Sequence, residues 1–136
     1  MSVEIKTAAY LVHKVDANLA TADHHAAFVL KDDGMEAWCV CHKVMVGPWY
    51  KVQDGYTAID PRDFVKSLWR GDFHFHMVEL RTDLTPPQKT EMKSILDGCV
   101  SGESWPVNAL TEMESRGLLN EEAVENRKNS TSMTYH

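Results

Sequence analysis

Apolar and polar positions along this chain follow two periods. A two-residue alternation, the signature of a strand, runs through DFHFHMVELR (72–81), placing His74, His76, Val78 and Leu80 on one face and Phe73, Phe75 and Met77 on the other. Both faces are mostly apolar, so a central strand is expected. AAYLVHKV (8–15), with Tyr10, Val12 and a β-branched finish, predicts another strand. HAAFVL and MEAWCVCHKVMV flank KDDG, where Asp33-Gly34 suits a two-residue hairpin turn because both central positions need positive φ. In that register His25 faces His42 and Glu36 faces Lys31. The glycine-punctuated GPWYKVQDGYTAI (47–59) reads as irregular, with one short strand at 49–53.

The helical period takes over elsewhere. DPRDFVKSLWRG predicts a helix over 61–70, with Asp60 as N-cap, Pro61 at the first position, Asp63 in the first turn and Gly71 as the stop. A second helix, over 86–97, opens on Thr85 with Gln88 completing a capping box, closes at Gly98 and buries Met92, Ile95 and Leu96. SWPVNALTEMESRG and NEEAVENRK predict two more helices, the second polar and exposed, and residues 129–136 form a tail without periodicity. The order describes one α+β domain over 1–128, a small antiparallel sheet with a central hairpin and helices packed on it.

Composition narrows the function classes. The 136 residues are 43% apolar and 25% charged, as in ordinary globular domains, and one core can form without disulfides. A net charge of −6 offers no general attraction to phosphate backbones, so nucleic acid is not an expected partner. No window approaches the roughly 18 apolar residues of a membrane span, and the amino terminus lacks a basic start followed by an apolar run, so a cytoplasmic location is expected. The cysteines, Cys39, Cys41 and Cys99, are odd in number, and the first two are too close along a strand to bond comfortably, which favours reduced thiols.

Several groups carry chemistry in principle. His74 and His76 project to one strand face at a spacing that suits one metal, but two ligands make no site. Cys39 and Cys41 share a face while His42 lies on the other, and no C-x-x-C spacing occurs, so neither a metal nor a cofactor is expected. Trp38, Trp49, Tyr50, Trp69 and Trp105 fit the core and its rim better than a stacking platform. His25 stands apart: it follows Asp23 and His24, precedes an apolar half-strand, and the hairpin sets a polar partner against it, His42 or Glu36. An imidazole fixed in this way suits general-base work. A histidine merely satisfied within the fold is the plainer reading of the same residues.

The order HHAAFVLKDDGMEAW, then DPRDFVKSLWRGDFHFHMVELRTDLTPPQKTEMKSILDGCVSGESWPVNAL, resembles the circularly permuted papain-like hydrolases of the NlpC/P60 superfamily over roughly residues 20 to 112. In that likeness His25 opens the histidine strand, Glu36-Ala37 is similar to the polar partner pair, Leu84-Thr85-Pro86 with Gln88 opens the following helix, and Gly102, Trp105, Asn108 and Leu110 form a loose version of the step before the nucleophile. The resemblance implies a hydrolase of amide or ester bonds acting on a peptide or acyl substrate, with His25 as base and Glu36 or His42 orienting it. The departure is the nucleophile, because no cysteine follows Cys99 and Cys99 itself follows a helix stop, where nothing activates a thiolate. The domain is therefore expected to be catalytically incomplete, and the alternative is a small acidic binding or inhibitory protein, of the kind phages encode, that occupies a partner protein.

Overall fold

The computed structural model describes residues 4–47, 49–99 and 104–132. Its elements in chain order are β1 (Thr7–Lys14), β2 (Ala27–Asp32), β3 (Trp38–Val46), β4 (Trp49–Thr57), α1 (Pro61–Leu68), β5 (Phe75–Leu84), α2 (Pro86–Gly98), α3 (Trp105–Ser115) and α4 (Glu121–Ser132). The strands form one antiparallel sheet in the order β4-β3-β2-β1-β5, an α+β arrangement with the β2–β3 hairpin at its centre. Gly102 and residues 133–136 lie outside the described residues. No described helix is long and apolar enough to cross a membrane.

The sheet is apolar on both faces. Leu11, Phe28, Leu30, Cys39, Cys41 and Leu80 point to one side and pack against Met92, Leu96, Trp105, Leu110 and Met113 of α2 and α3. Val12, Ala27, Val29, Val40 and Phe75 point to the other, where α1 contributes Phe64 and Val65. The chain leaves one edge at β4 and re-enters at the opposite edge as β5. Four strand spacings of about 4.8 Å, roughly 19 Å in all, separate those edges, so the connection carrying α1 must cross that face. Gly55 of β4 lies under it, and a Cβ built there would meet the Phe64 ring at 4.0 Å.

The helix signals act as written. Asp60 accepts from the Arg62 backbone N–H at 2.8 Å with Pro61 at the first position. Thr85 and Gln88 form a reciprocal capping box, Gln88 N–H to Thr85 Oγ1 at 3.3 Å and Thr85 N–H to Gln88 Oε1 at 3.0 Å. The last helix differs from expectation. It continues through Ser132, into the segment read as tail, and is not simply exposed: Ala123 is fully buried, and Arg127 donates to the Leu110 carbonyl, Thr111 Oγ1 and Glu114 Oε1 of α3.

Three strand expectations also change. The hairpin exists, but its paired residues are Phe28–Cys41, Val29–Val40 and Leu30–Cys39, two residues out from the expected register. The expected turn needs positive φ at both Asp33 and Gly34, and only Gly34 has it, at 81°. Instead Asp33 donates its N–H to the Lys6 carbonyl at 2.9 Å, and a wider connection over 33–37 links the strands. β4 is a full nine-residue strand rather than a short one, because pairing with β3 overrides the glycine at position 55. β5 is an edge strand and not a central one; His76 and Glu79 are exposed on it, as is His74 just before it.

Leu96 is 1% exposed within the α2–α3 core, whereas Leu68 of α1 is 38% exposed. Leu96→Ala should therefore cost about 2–5 kcal/mol in chemical denaturation, and Leu68→Ala about 1 kcal/mol or less. Equal costs would contradict the assignment of faces.

Candidate functional site

The loop between β1 and β2 sets three polar side chains at one end of the sheet. Asp23 organises it. Its Oδ1 accepts from both the backbone N–H and the imidazole Nδ1 of His25, each at 3.0 Å, while Oδ2 pairs with Lys14 Nζ at 3.0 Å. The Ala26 N–H closes the turn onto the Asp23 carbonyl at 3.0 Å. This is an Asx turn, in which a short carboxylate replaces a backbone acceptor two residues on, and it holds the imidazole in place as a by-product.

Aromatic rings supply the wall. The His25 ring lies 4.6 Å from that of Trp69 and 4.8 Å from that of Phe73, and His24 stacks 4.2 Å from His25 and 5.5 Å from Trp69. Trp69 arrives there because α1 stops at Leu68 and the next residue turns extended, at φ −122° and ψ 139°. Gly71 then reverses the chain at φ +120°, a conformation that demands glycine, and a Cβ there would crowd the Phe73 ring at 3.0 Å. Lys14 Nζ sits 5.0 Å over the same Phe73 ring.

The electrostatics follow from this packing. Burial pulls the Asp23 carboxyl upward, but donation from the His25 backbone, Lys14 and the His25 ring outweighs it and holds the carboxyl below its ordinary value. An ionised Asp23 only accepts, so the shared proton sits on His25 Nδ1, and in the neutral imidazole Nε2 then carries the lone pair. The Trp69 indole N–H is buried and has no hydrogen-bond partner among the described residues. One wall thus carries an acceptor at His25 and an unmet donor at Trp69.

Of the three residues the sequence nominates, only His25 belongs to this arrangement. Glu36 is exposed in the β2–β3 connection, beyond the far end of β2. Six residues of strand separate the two ends, roughly 20 Å at about 3.3 Å per residue. His42 lies within β3 with its ring 6.1 Å from Phe64, and among the described residues no hydrogen bond joins it to His25. His25 itself precedes the first paired residue of β2 and so has no cross-strand partner on β3. Asp23, Lys14 and Trp69 were not nominated; the one local signal was the Asp-x-His spacing that permits an Asx turn. His74 and His76 gather no third metal-binding group among the described residues. All three thiols pack with the core of the opposite face.

No family model, curated protein or solved structure matches this chain.

Two histidines on the sheet give the fold a pH response. His13 is 4% exposed and burial lowers its pKa, against the pull of its Nδ1–H bond to the Lys14 carbonyl at 2.7 Å, with His76 adding to the lowering. Burial likewise lowers His42, opposed by the Val40 carbonyl and Asp54. Below the ordinary value of 6.5 the unfolded chain binds protons that the folded chain refuses, so this contribution is complete above that pH and is lost as pH falls through it. Melting temperature should therefore drop between about pH 7 and pH 5, with a shallower drop in His13→Gln. A flat profile in the parent chain would contradict the burial of these rings.

Proposed function

We propose that this protein is a hydrolase-derived domain that binds an amide- or ester-bearing ligand, such as a peptide, without cleaving it. The observation that carries this reading is the pairing of His25 with Asp23 against the Trp69 and Phe73 rings, while every thiol belongs to the other face. A base without a nucleophile is half a catalytic set. An amide complements what remains: its N–H can donate to His25 Nε2, and its apolar flanks can lie on the aromatic wall. The order of elements, with a histidine opening a strand and a Thr-Pro-x-Gln helix start downstream, supports descent from the permuted papain-like hydrolases.

The test uses the full chain labelled with ¹⁵N at histidine and tryptophan. Titration with N-acetylated dipeptide amides should shift the His25 ring and Trp69 indole resonances, and His25→Ala should abolish the Trp69 shift while leaving the rest of the spectrum in place. Turnover of p-nitrophenyl acetate should equal that of the His25→Ala variant. Absence of any shift at millimolar peptide would sink the binding claim; ester hydrolysis lost on both His25→Ala and a single Cys→Ser change would make the protein a working thiol hydrolase instead.

A further inference from the structure

A second constellation lies on the opposite face, and nothing in the His25 reading uses it. Cys39 and Cys41 alternate to the same side of β3, and the β3–β4 register sets Tyr56 opposite Cys39 and Asp54 opposite Cys41. The two sulfurs and an Asp54 oxygen lie within 4.8 Å of one another. Cys39 is 4% exposed and Cys41 fully buried, whereas the Asp54 side chain is 31% exposed and Asp54 Oδ2 is held by Lys93 Nζ of α2 at 2.7 Å. The cluster is sealed by core on the inside and reached from the rim. A cavity of about 160 Å³, bordered by Cys39, Tyr56, Asp32 and Lys89, opens beside the first sulfur.

We propose that Cys39, Cys41 and Asp54 form a binding site for a borderline-soft divalent cation of the zinc class, with the fourth position open to the cavity beside Cys39. Two thiolates and one carboxylate are a donor set that such ions prefer over magnesium or calcium. Bond lengths of about 2.0–2.3 Å in a tetrahedron place donors roughly 3.3–3.8 Å apart, so side-chain rotations that draw these donors in by about an ångström close the site. Binding forms two metal–sulfur bonds and one metal–oxygen bond and releases the two thiol protons to solvent. Charge then balances: the dication and the Lys93 ammonium offset the two thiolates and the Asp54 carboxylate. Lys93 on one carboxylate oxygen leaves the other for the metal, the outer contact that usually orients a ligating carboxylate. The cavity exceeds the roughly 30 Å³ share of one water, which suits a solvent molecule at the fourth position. The other metal-capable group, Asp23 with His24 and His25, is a weaker site because Lys14 and His25 already claim its carboxylate.

Titration of the reduced, metal-free chain with Co²⁺ reads the ligands directly. The expected result is saturation at one equivalent with intense near-ultraviolet sulfur-to-metal absorbance and the visible bands of a tetrahedral centre, both removed by Zn²⁺. Asp54→Asn, on the exposed rim, should weaken binding about tenfold or more with an unchanged far-ultraviolet circular dichroism spectrum, and Cys99→Ser should bind like the parent. The proposal is overturned if Co²⁺ binds without sulfur absorbance, which points to Asp23, His24 and His25, if nothing binds at millimolar Co²⁺, or if Asp54→Asn binds as tightly as the parent. A Cys39→Ser/Cys41→Ser chain that folds and keeps the sulfur absorbance overturns it as well.

Discussion

Side-chain alternation along the central hairpin is the constraint on which the rest of this structure depends. Phe28 and Leu30 of β2 share a face with Cys41 and Cys39 of β3, and Ala27, Val29 and Val40 take the other. A slip of one residue would exchange every one of these positions, and burial on both sides makes that exchange costly. The far end of β2 is pinned as well, since Asp32 accepts from Thr7 Oγ1 of β1 at 2.6 Å and from Lys89 of α2 at 2.9 Å. The chemistry is therefore divided by the sheet: thiols on the side of α2 and α3, the His25–Asp23 pair on the side of α1.

The second determinant is the crossing from β4 to β5. Because the two strands occupy opposite edges, the segment between them must span the sheet, and α1 is short enough to leave room for a turn after it. Its early end delivers Trp69, and the positive φ of Gly71 delivers Phe73. The aromatic wall is thus a consequence of connection length as much as of residue type. Its histidine is positioned from the other direction, by a loop whose shape is set by the Asp23 carboxylate.

Much of this was legible in the sequence where the signal is local. Thr85 with Gln88 and Asp60 with Pro61 specify helix starts through hydrogen bonds spanning only two or three residues, and both formed as read. The central hairpin was legible too, but its register was not, because Asp33 bonds to Lys6, just before β1 and remote in sequence, instead of taking a left-handed conformation. That difference alone moves the expected partner away from His25. The length of β4 is not legible locally, because Gly55 suggests a break when taken by itself, while its pairing with Val40 depends on β3. Asp54 could not be set beside Cys41, nor Lys93 beside Asp54, without that strand. The pair of cysteines therefore looked like two ligands short of a site, and the His25 pair looked like a product of the hairpin rather than of its own loop.

One sheet keeps the imidazole and the thiols apart, and proton–proton proximity measures that separation most directly. In a chain carrying ¹³C only at cysteine, nuclear Overhauser spectra should show contacts from the Cys41 β-protons to the Phe28 ring and none to the His25 ring, while the His25 ring contacts Trp69 and Phe73. A cross-peak between the His25 ring and the β-protons of any cysteine would contradict the account.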